Sequence, residues 1–316
     1  MNHKRQIPFV KHRRKFFMIS LAMLAAGIIL LLTAGLNLGI DFESGSRIEI
    51  GSDQTLTEEE VENAFSEAGK GYEPDDVTLA GENNEMAQAR FIGALTQEEI
   101  AEIQTYFTEE YGEEPNVSTV SPQVGQELAL NALTSVLIAS IGIIIYISIR
   151  FQFLYGVAAI VALLHDAFFI IVFFSLLQIE VNVPFIAAVL TIVGYSINDT
   201  IVTFDRIREN MNKAPRLETF EHLSGVVDMS LNQTLTRSIN TVLTVVLAAS
   251  ALFIFGGEAI RSFALALLIG LIAGTYSSIF LAAQIWSVWE WRRLKKKREK
   301  GEDEDEEEEH ELYPER

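Results

Sequence analysis

Six apolar stretches, each long enough to cross a lipid bilayer as one α-helix, constrain the fold of this chain more than any other feature. A spanning helix needs about 20 predominantly apolar residues, and six segments meet that length: 16–36, 129–149, 153–177, 183–205, 237–256 and 262–289. The first follows a basic stretch, but its apolar run is longer than that of a signal peptide and no small-residue cleavage site follows it. The sequence therefore predicts a polytopic α-helical membrane protein with six transmembrane helices, the first of them an uncleaved anchor.

Lysine and arginine are distributed unevenly around these segments. Six of them precede Phe16, four lie within 206–216 and six within 292–298, whereas the loops 178–182 and 256–261 together contain one. Positively charged loops remain on the cytoplasmic side of a membrane. We therefore expect both termini in the cytoplasm and the long segment between the first two helices outside the membrane.

That long segment, residues 37–125, has the composition and patterning of a small folded domain. It contains 21 acidic and 3 basic side chains, a net charge of −18. Thr55-Leu-Thr-Glu-Glu-Glu and Thr96-Gln-Glu-Glu are typical helix starts, with a capping hydroxyl and acidic residues in the first turn. Alternating or short apolar runs predict strands at 46–52, 77–80, 86–94 and 117–120. The order β-α-β-β-α-β indicates an extracytosolic α+β domain of the ferredoxin-like type.

The chain thus divides into five predicted parts: a basic cytoplasmic N-terminus (1–15), transmembrane helix 1 (16–36), the ferredoxin-like domain (37–125), transmembrane helices 2–6 (126–289) and a cytoplasmic tail (290–316). The tail is first basic and then strongly acidic, a low-complexity composition that favours disorder. Its basic cluster could bind anionic membrane lipid or the acidic run itself.

Composition excludes several classes of function. The chain has no cysteine, so disulfides, thiolate metal sites and cysteine nucleophiles are ruled out. A nucleic-acid-binding domain needs a basic face, and the polar domain here is acidic. The chain contains no phosphate-binding Gly-x-x-x-x-Gly-Lys, no His-Glu-x-x-His and no Gly-x-Ser-x-Gly. We therefore expect a protein that is not an enzyme and that binds no organic cofactor.

Ionisable residues inside the predicted bilayer are the strongest functional signal. Such a side chain costs at least about 2.5 kcal/mol at the centre of a helix, so it is a functional candidate by default. Asp199, next to Asn198, lies well inside the fourth apolar segment. The alternative is that Asp199 only hydrogen-bonds a neighbouring helix as packing glue.

Two further positions accompany Asp199. Arg237 opens the fifth segment, and Asn240 lies one helical turn further along the same polar stripe; an arginine that reaches the membrane interface is the alternative interpretation. Asp166, beside His165, lies near the middle of the third segment. That pair could relay protons or could simply be packed and hydrogen-bonded, and the residues leave both interpretations open.

A buried carboxylate near an arginine can exist in two charge states, with and without a bound proton or cation. If such a site opens alternately to the two sides of the membrane, ion flow down a gradient can drive a conformational cycle. A carboxylate serves H⁺ and Na⁺ alike, so the sequence predicts an ion-coupled site without selecting between the two ions.

Four sequence motifs of this chain resemble those of the SecD/SecF family of bacterial protein export, within the resistance-nodulation-division superfamily. The similarity spans about 10–290 and is carried by four motifs: Gly39-Ile-Asp-Phe, Leu164-His-Asp, Gly194-Tyr-Ser-Ile-Asn-Asp-Thr-Ile-Val-x-Phe-Asp-Arg-Ile-Arg-Glu-Asn and Asn232-Gln-Thr-Leu-x-Arg. The first motif draws attention to Gly39, Asp41, Phe42 and Gly45 as motif or hinge positions. The family usually has a Gly-Gly pair shortly after it, whereas this chain has Ser44-Gly45.

The resemblance implies a function that the residues alone do not reach. It implies an accessory subunit of the Sec translocase in the bacterial cytoplasmic membrane, working with SecD, the SecYEG channel and the SecA ATPase. Such a subunit uses the proton or sodium motive force to promote export of unfolded polypeptides. The resemblance also implies that Asp199 and Arg237 are central to ion coupling.

Two alternatives remain beside this interpretation. The chain could be a half-transporter of the resistance-nodulation-division type that exports lipid or small molecules together with a partner. It could also be a receptor whose outer domain senses a ligand, but that function would leave Asp199 and Arg237 without a purpose.

Overall fold

The computed structural model describes residues 7–69, 71–81, 83–150, 152–214 and 217–299. In chain order its helices and strands are α1 (Arg13–Thr33), α2 (Ile40–Glu43), β1 (Gly45–Gly51), α3 (Glu58–Glu67), β2 (Asp76–Ala80), β3 (Met86–Ile92), α4 (Gln97–Tyr111), β4 (Asn116–Val120), α5 (Pro122–Arg150), α6 (Phe153–Leu177), α7 (Val183–Lys213), α8 (Phe220–Phe255), α9 (Glu258–Tyr276) and α10 (Ala283–Glu299). A π-helical segment, Ser277–Ala282, joins α9 to α10.

Six helical spans in the described part of the chain are long and apolar enough to cross a membrane, which confirms the predicted number. They are α1, α5, α6, α7, α8 and the continuous unit formed by α9, the π-helical segment and α10. Several helices extend beyond the apolar segments. In particular, α8 begins at Phe220, whereas the apolar segment begins at 237. Apolar length did not detect the first turns of this helix because they are amphipathic.

The last helix also extends further than expected. Residues 290–299, which we assigned to a disordered tail, continue α10 as regular helix. Glu290 is 4% exposed, and the Arg298 guanidinium donates to the carbonyl oxygens of Leu217 and Glu218. These contacts to the start of α8 hold the basic end of the helix. The acidic run that follows, and the first six residues of the chain, lie outside the described residues.

Capping interactions fix the two helices of the sheet domain, residues 37–125. Thr57 accepts a hydrogen bond from the backbone N–H of Glu60, and the Glu60 carboxylate accepts one from the Thr57 N–H. Thr96 and Glu99 form the same reciprocal pair at the start of α4. Both boxes satisfy backbone donors that a helix start leaves unpaired, and α4 then ends at Gly112 with φ +82°.

The four strands form one antiparallel sheet in the order β2-β3-β1-β4. β1 is central and pairs with β3 and with β4, for example Gly45 with Ile92 and with Val120. The apolar sides of α3 and α4 pack on the sheet with Ile48 and Ile50 of β1, and the rings of Phe65 and Phe107 lie 4.6 Å apart at the centre. This core is separate from those of the helical bundle.

The Gly39-Ile-Asp-Phe motif docks the sheet domain on the bundle. Leu38 forms a parallel β-bridge with Val181, and the Asp41 carboxylate accepts a hydrogen bond of 2.9 Å from the backbone N–H of Val183 at the start of α7. Arg47 of β1 forms an ion pair with Glu180. The sheet domain is therefore attached to the loop between α6 and α7 as well as through the chain.

Gly45 is required by close packing against backbone, whereas Gly39 faces the end of a flexible side chain. A Cβ on Gly45 would clash with the Phe91 backbone carbonyl oxygen, and one on Gly39 would meet the Glu180 carboxylate, which can move aside. Of the residues leading into the motif, Gly35 has a positive φ of 67°. The proposed hinge function of these glycines stays a prediction.

Candidate ion-coupling site in the helical bundle

Asp199 lies on α7 and is held by serines from two other elements. Ser238 of α8 donates a hydrogen bond of 2.5 Å to one carboxylate oxygen, Oδ1. Ser278 of the π-helical segment donates one of 2.5 Å to the other oxygen, Oδ2. The carboxylate is partly buried, so each oxygen has a fixed donor where three helical elements meet.

A small cavity of about 100 Å³ opens beside this carboxylate. Its lining residues come from α7, α8 and α9 and include Tyr195, Asn198, Asp199, Arg237, Thr241 and Gly270. The predicted residues Asp199, Asn198 and Arg237 are thus brought to one cavity, whereas Asn240 is exposed on α8 and is not one of the described lining residues. The atoms available to bind an ion are oxygen atoms of a carboxylate and of hydroxyl groups, which suit a proton or a hard cation such as Na⁺.

Arg237 lines the cavity without pairing with Asp199. Among the described residues, no hydrogen bond or ion pair is formed by its guanidinium. A second cavity of about 480 Å³ lies further along α7 and α8, toward the end opposite the sheet domain, and Val202 and Arg237 line both cavities. These two side chains therefore form the wall between the carboxylate and the larger, more polar space.

Asp166 of α6 forms a second, fully buried site and is 1% exposed. Its Oδ2 accepts hydrogen bonds from Ser196 of α7 at 2.5 Å and from Ser277 at 2.7 Å. The ring of His165 lies 3.4 Å from its other oxygen, through Nδ1. The structure thus places the predicted His–Asp pair in contact, with two serine donors on the opposite oxygen.

Sequence reasoning missed the four serines that hold these carboxylates: Ser196, Ser238, Ser277 and Ser278. A signal was available in Tyr276-Ser-Ser, two adjacent hydroxyl residues inside an otherwise apolar helix. Serine is common in membrane helices, where it also bonds its own backbone. Its presence therefore does not identify which helix it faces.

Glycines bring α9 against α7 at this level. A Cβ on Gly270 would lie 2.5 Å from Ile192, and one on Gly274 would lie 3.2 Å from Ser196. The spacing Gly-x-x-x-Gly lets two membrane helices approach closely. This packing places Ser277 and Ser278, three and four residues after Gly274, within reach of the two carboxylates.

Comparisons with known proteins agree with this architecture. Residues 101–292 match the family described as "Protein export membrane protein SecD/SecF, C-terminal", and residues 29–56 match the "SecD/SecF GG Motif". The chain is 43% identical over 296 residues to the protein translocase subunit SecF of Alicyclobacillus acidocaldarius, covering 93% of this chain and 96% of that protein. It is 57% identical over 288 residues to the protein translocase subunit SecDF of Bacillus subtilis, covering 91% of this chain.

The chain spans only 39% of the length of that Bacillus subtilis SecDF. The same relation holds for a solved structure, the crystal structure of SecDF from Thermus thermophilus, described as a translocon-associated membrane protein. The two share 33% sequence identity with a TM-score of 0.81, over 92% of this chain and 40% of that chain. By its family match and its close relatives, this chain belongs to the SecD/SecF family of protein-export membrane proteins.

Proposed function

We propose that this chain is an accessory subunit of the Sec translocase that uses a proton or sodium gradient to promote polypeptide export across the bacterial cytoplasmic membrane. The observation that carries the proposal is the Asp199 site, a carboxylate within a membrane-spanning helix, beside a cavity and an arginine. The names of the relatives, which are protein translocase subunits, support the export function. The chain acts as a transport subunit and not as an enzyme.

A SecD subunit is the proposed direct partner. In the Bacillus subtilis relative, SecD and SecF are named as one protein, and this chain spans 39% of it. The exposed surface of α7 and α8 supports the need for a partner, because Asn198, Arg237 and Asn240 would otherwise face hydrocarbon. Polar side chains are costly there. The membrane helices of SecD would cover this polar face, and the assembly would act on SecYEG, SecA and the exported polypeptide.

The proposed orientation puts the sheet domain outside the cytoplasmic membrane and both termini inside. The lysine and arginine distribution supports it. The basic end of α10 contacts the residues just before α8, so these two segments share one side of the membrane. The element order β-α-β-β-α-β, with strand order β2-β3-β1-β4, supports the ferredoxin-like assignment of the outer domain.

In the proposed cycle, Asp199 carries the ion and Arg237 separates it from the larger cavity. A cation that reaches the carboxylate neutralises it, and the two serines then lose their charged acceptor. One elementary charge crossing 100 mV supplies about 2.3 kcal/mol. That energy is comparable to the loss of one or two charge-assisted hydrogen bonds, so ion movement is sufficient to shift a local equilibrium in the bundle.

Asp199→Asn tests the proposal. The substitution keeps the side-chain volume and an acceptor oxygen but removes titration. Membrane vesicles that contain the chain with SecD, SecYEG and SecA would be loaded with a partly exported polypeptide, depleted of ATP, and then given a proton or a sodium gradient. We expect the gradient-dependent export rate to fall to the rate without a gradient, while ATP-driven steps and complex assembly are retained.

Asp228→Asn is the matched control. Asp228 is a half-buried carboxylate on α8 that accepts a hydrogen bond of 2.9 Å from the Val10 backbone N–H, a function that an asparagine oxygen retains. Its variant should respond to the gradient as the parent chain does. Normal gradient-driven export by Asp199→Asn would refute the proposal and assign the ion path to SecD alone.

Arg237→Lys provides a second test of the site. Lysine keeps the charge but lacks the planar guanidinium with its fixed set of donors. We expect a reduced response to the gradient with normal assembly. A lysine variant that responds fully would show that any positive charge at this wall is sufficient.

A further inference from the structure

Two adjacent serines connect the two buried carboxylates. Ser277 donates a hydrogen bond of 2.7 Å to Asp166 of α6, and the next residue, Ser278, donates one of 2.5 Å to Asp199 of α7. Successive residues of a helix point in different directions around its axis, which lets the pair reach two different neighbours. Among the described residues, Ser277 and Ser278 are the one pair of adjacent residues in which each bonds a different one of the two carboxylates.

Each serine hydroxyl also has a second acceptor on its own helix. The Oγ of Ser277 lies 3.2 Å from the Gly274 carbonyl oxygen, and the Oγ of Ser278 lies 3.3 Å from the Thr275 carbonyl oxygen. A hydroxyl has one proton to donate, so it bonds either the carboxylate or the carbonyl. An ionised carboxylate is the stronger acceptor, and a carboxylate neutralised by a proton or a bound cation loses that advantage.

The backbone at this point can respond to such a change. The π-helical segment begins at Ser277, and a π turn interrupts the regular ladder of helix hydrogen bonds and is often found at functional sites. Because Ser277 and Ser278 share a peptide unit, a shift of one moves the other. Within the described part of the chain, the charged or titratable groups that face the two carboxylates are His165, on the second oxygen of Asp166, and Arg237 and Tyr195, which line the cavity beside Asp199.

We propose that Ser277 and Ser278 are positioning residues that couple the two carboxylates, so that loss of charge at Asp199 changes the hydrogen bonding and the protonation of Asp166. This inference rests on the proposed function in one respect, namely that Asp199 carries the ion. Asp166 is then a second proton site linked to Asp199, and its contact with His165 is more than packing.

The hydrophobic carbodiimide dicyclohexylcarbodiimide measures the coupling, because it modifies protonated carboxyl groups in apolar surroundings. The full-length chain in membrane vesicles would be treated at one pH, and the labelled fraction of Asp166 determined by mass spectrometry. Residues in one hydrogen-bond network are coupled by interactions that correspond to about 2.3-fold or more in such an equilibrium. We therefore expect Asp199→Asn to change the labelling of Asp166 by at least that factor.

The serine variants then show whether the coupling passes through them. In a Ser277→Ala or a Ser278→Ala background, Asp199→Asn should leave Asp166 labelling unchanged within about twofold. Ser287→Ala is the matched control, because Ser287 is fully buried on α10 and its hydroxyl bonds the Gln284 carbonyl oxygen of its own helix. In that background the effect of Asp199→Asn should persist, and co-purification with SecD and thermal unfolding confirm that each variant folds.

Equal Asp166 labelling in the parent and Asp199→Asn chains, including none in either, overturns the coupling. So does an effect that survives both serine substitutions or that disappears with Ser287→Ala. This outcome is separable from failure of the proposed function, because the vesicle export assay of Asp199→Asn does not depend on Asp166 labelling. Export could be lost while the coupling is absent, or retained while the coupling is present.

Discussion

Replacing Ser44 by glycine is expected to stabilise the protein, because Ser44 has a backbone conformation that suits glycine. Its φ is 67° and its ψ is 137°, in a region that costs a residue with a side chain about 1–3 kcal/mol. Glycine loses about 0.5–1 kcal/mol of this gain through the larger entropy of the unfolded chain. The expected net gain in the free energy of unfolding is about 1 kcal/mol.

The side chain of Ser44 contributes little that glycine would lose. It is 8% exposed, and within the described residues its hydroxyl forms no hydrogen bond. Ser44→Ala is the control, because it removes the hydroxyl but keeps the Cβ that makes the positive φ unfavourable. Its stability should remain close to that of the parent chain, which separates the backbone effect from the side-chain effect.

Thermal unfolding of the chain in detergent measures this difference. Limited proteolysis within the sheet domain is used to monitor the unfolding. For a domain of this size, about 1 kcal/mol corresponds to a rise of about 4–8 °C in the unfolding midpoint. Ser44→Gly should show that rise and Ser44→Ala should not. A glycine variant no more stable than the alanine variant would refute the reasoning, and the Gly-Gly pair usual in the family would then need another explanation.

Two further predictions concern the sheet domain and the orientation. The chain has no cysteine, so Ser66→Cys and Lys296→Cys, both at exposed positions, can be labelled in intact cells with an impermeant maleimide. Reaction at 66 alone is expected, and reaction at 296 alone would reverse the orientation. Burial and the hydrogen bond of 2.8 Å from the Tyr72 hydroxyl to Glu102 raise the pKa of Tyr72 from 10.0 to about 12. Since the raised pKa belongs to the folded state, this stabilisation is present below pH 10 and is lost as pH rises to about 12. Tyr72→Phe should flatten that part of a stability–pH profile, and an unchanged profile would contradict the assignment.

Local sequence signals predicted much of the fold. Apolar length gave the six spanning helices, and Thr57 and Thr96 with their following glutamates marked the two helix starts of the sheet domain. These features depend on residues within a few positions of one another. The start of α8 at Phe220 was missed because its first turns are amphipathic, and apolar length alone cannot register such a segment.

The candidate site was predicted in part, for a related reason. A carboxylate in an apolar helix is visible in the sequence, and Asp199 and Asp166 were found on that basis. Their partners were not, because Ser238 and Ser278 lie 39 and 79 positions from Asp199. Nothing in a single sequence states which helices pack together. Arg237 was expected beside Asp199 and lies on the same cavity, but serines occupy the positions of direct contact.

The geometry of the site depends on how closely α9 approaches α7. Gly270 lies against Ile192 with no room for a Cβ, and Gly274 lies against Ser196. A side chain at Gly270 would push α9 away from α7, and with it the two serines further along the helix, whereas one at Gly274 needs a shift of only a few tenths of an ångström. Hydrogen bonds of 2.5–2.7 Å from Ser277 and Ser278 would then lengthen beyond the useful range. The carboxylate in the long motif of α7 is therefore not a complete site by itself; it becomes one through the glycine spacing and the adjacent serines of the last membrane span.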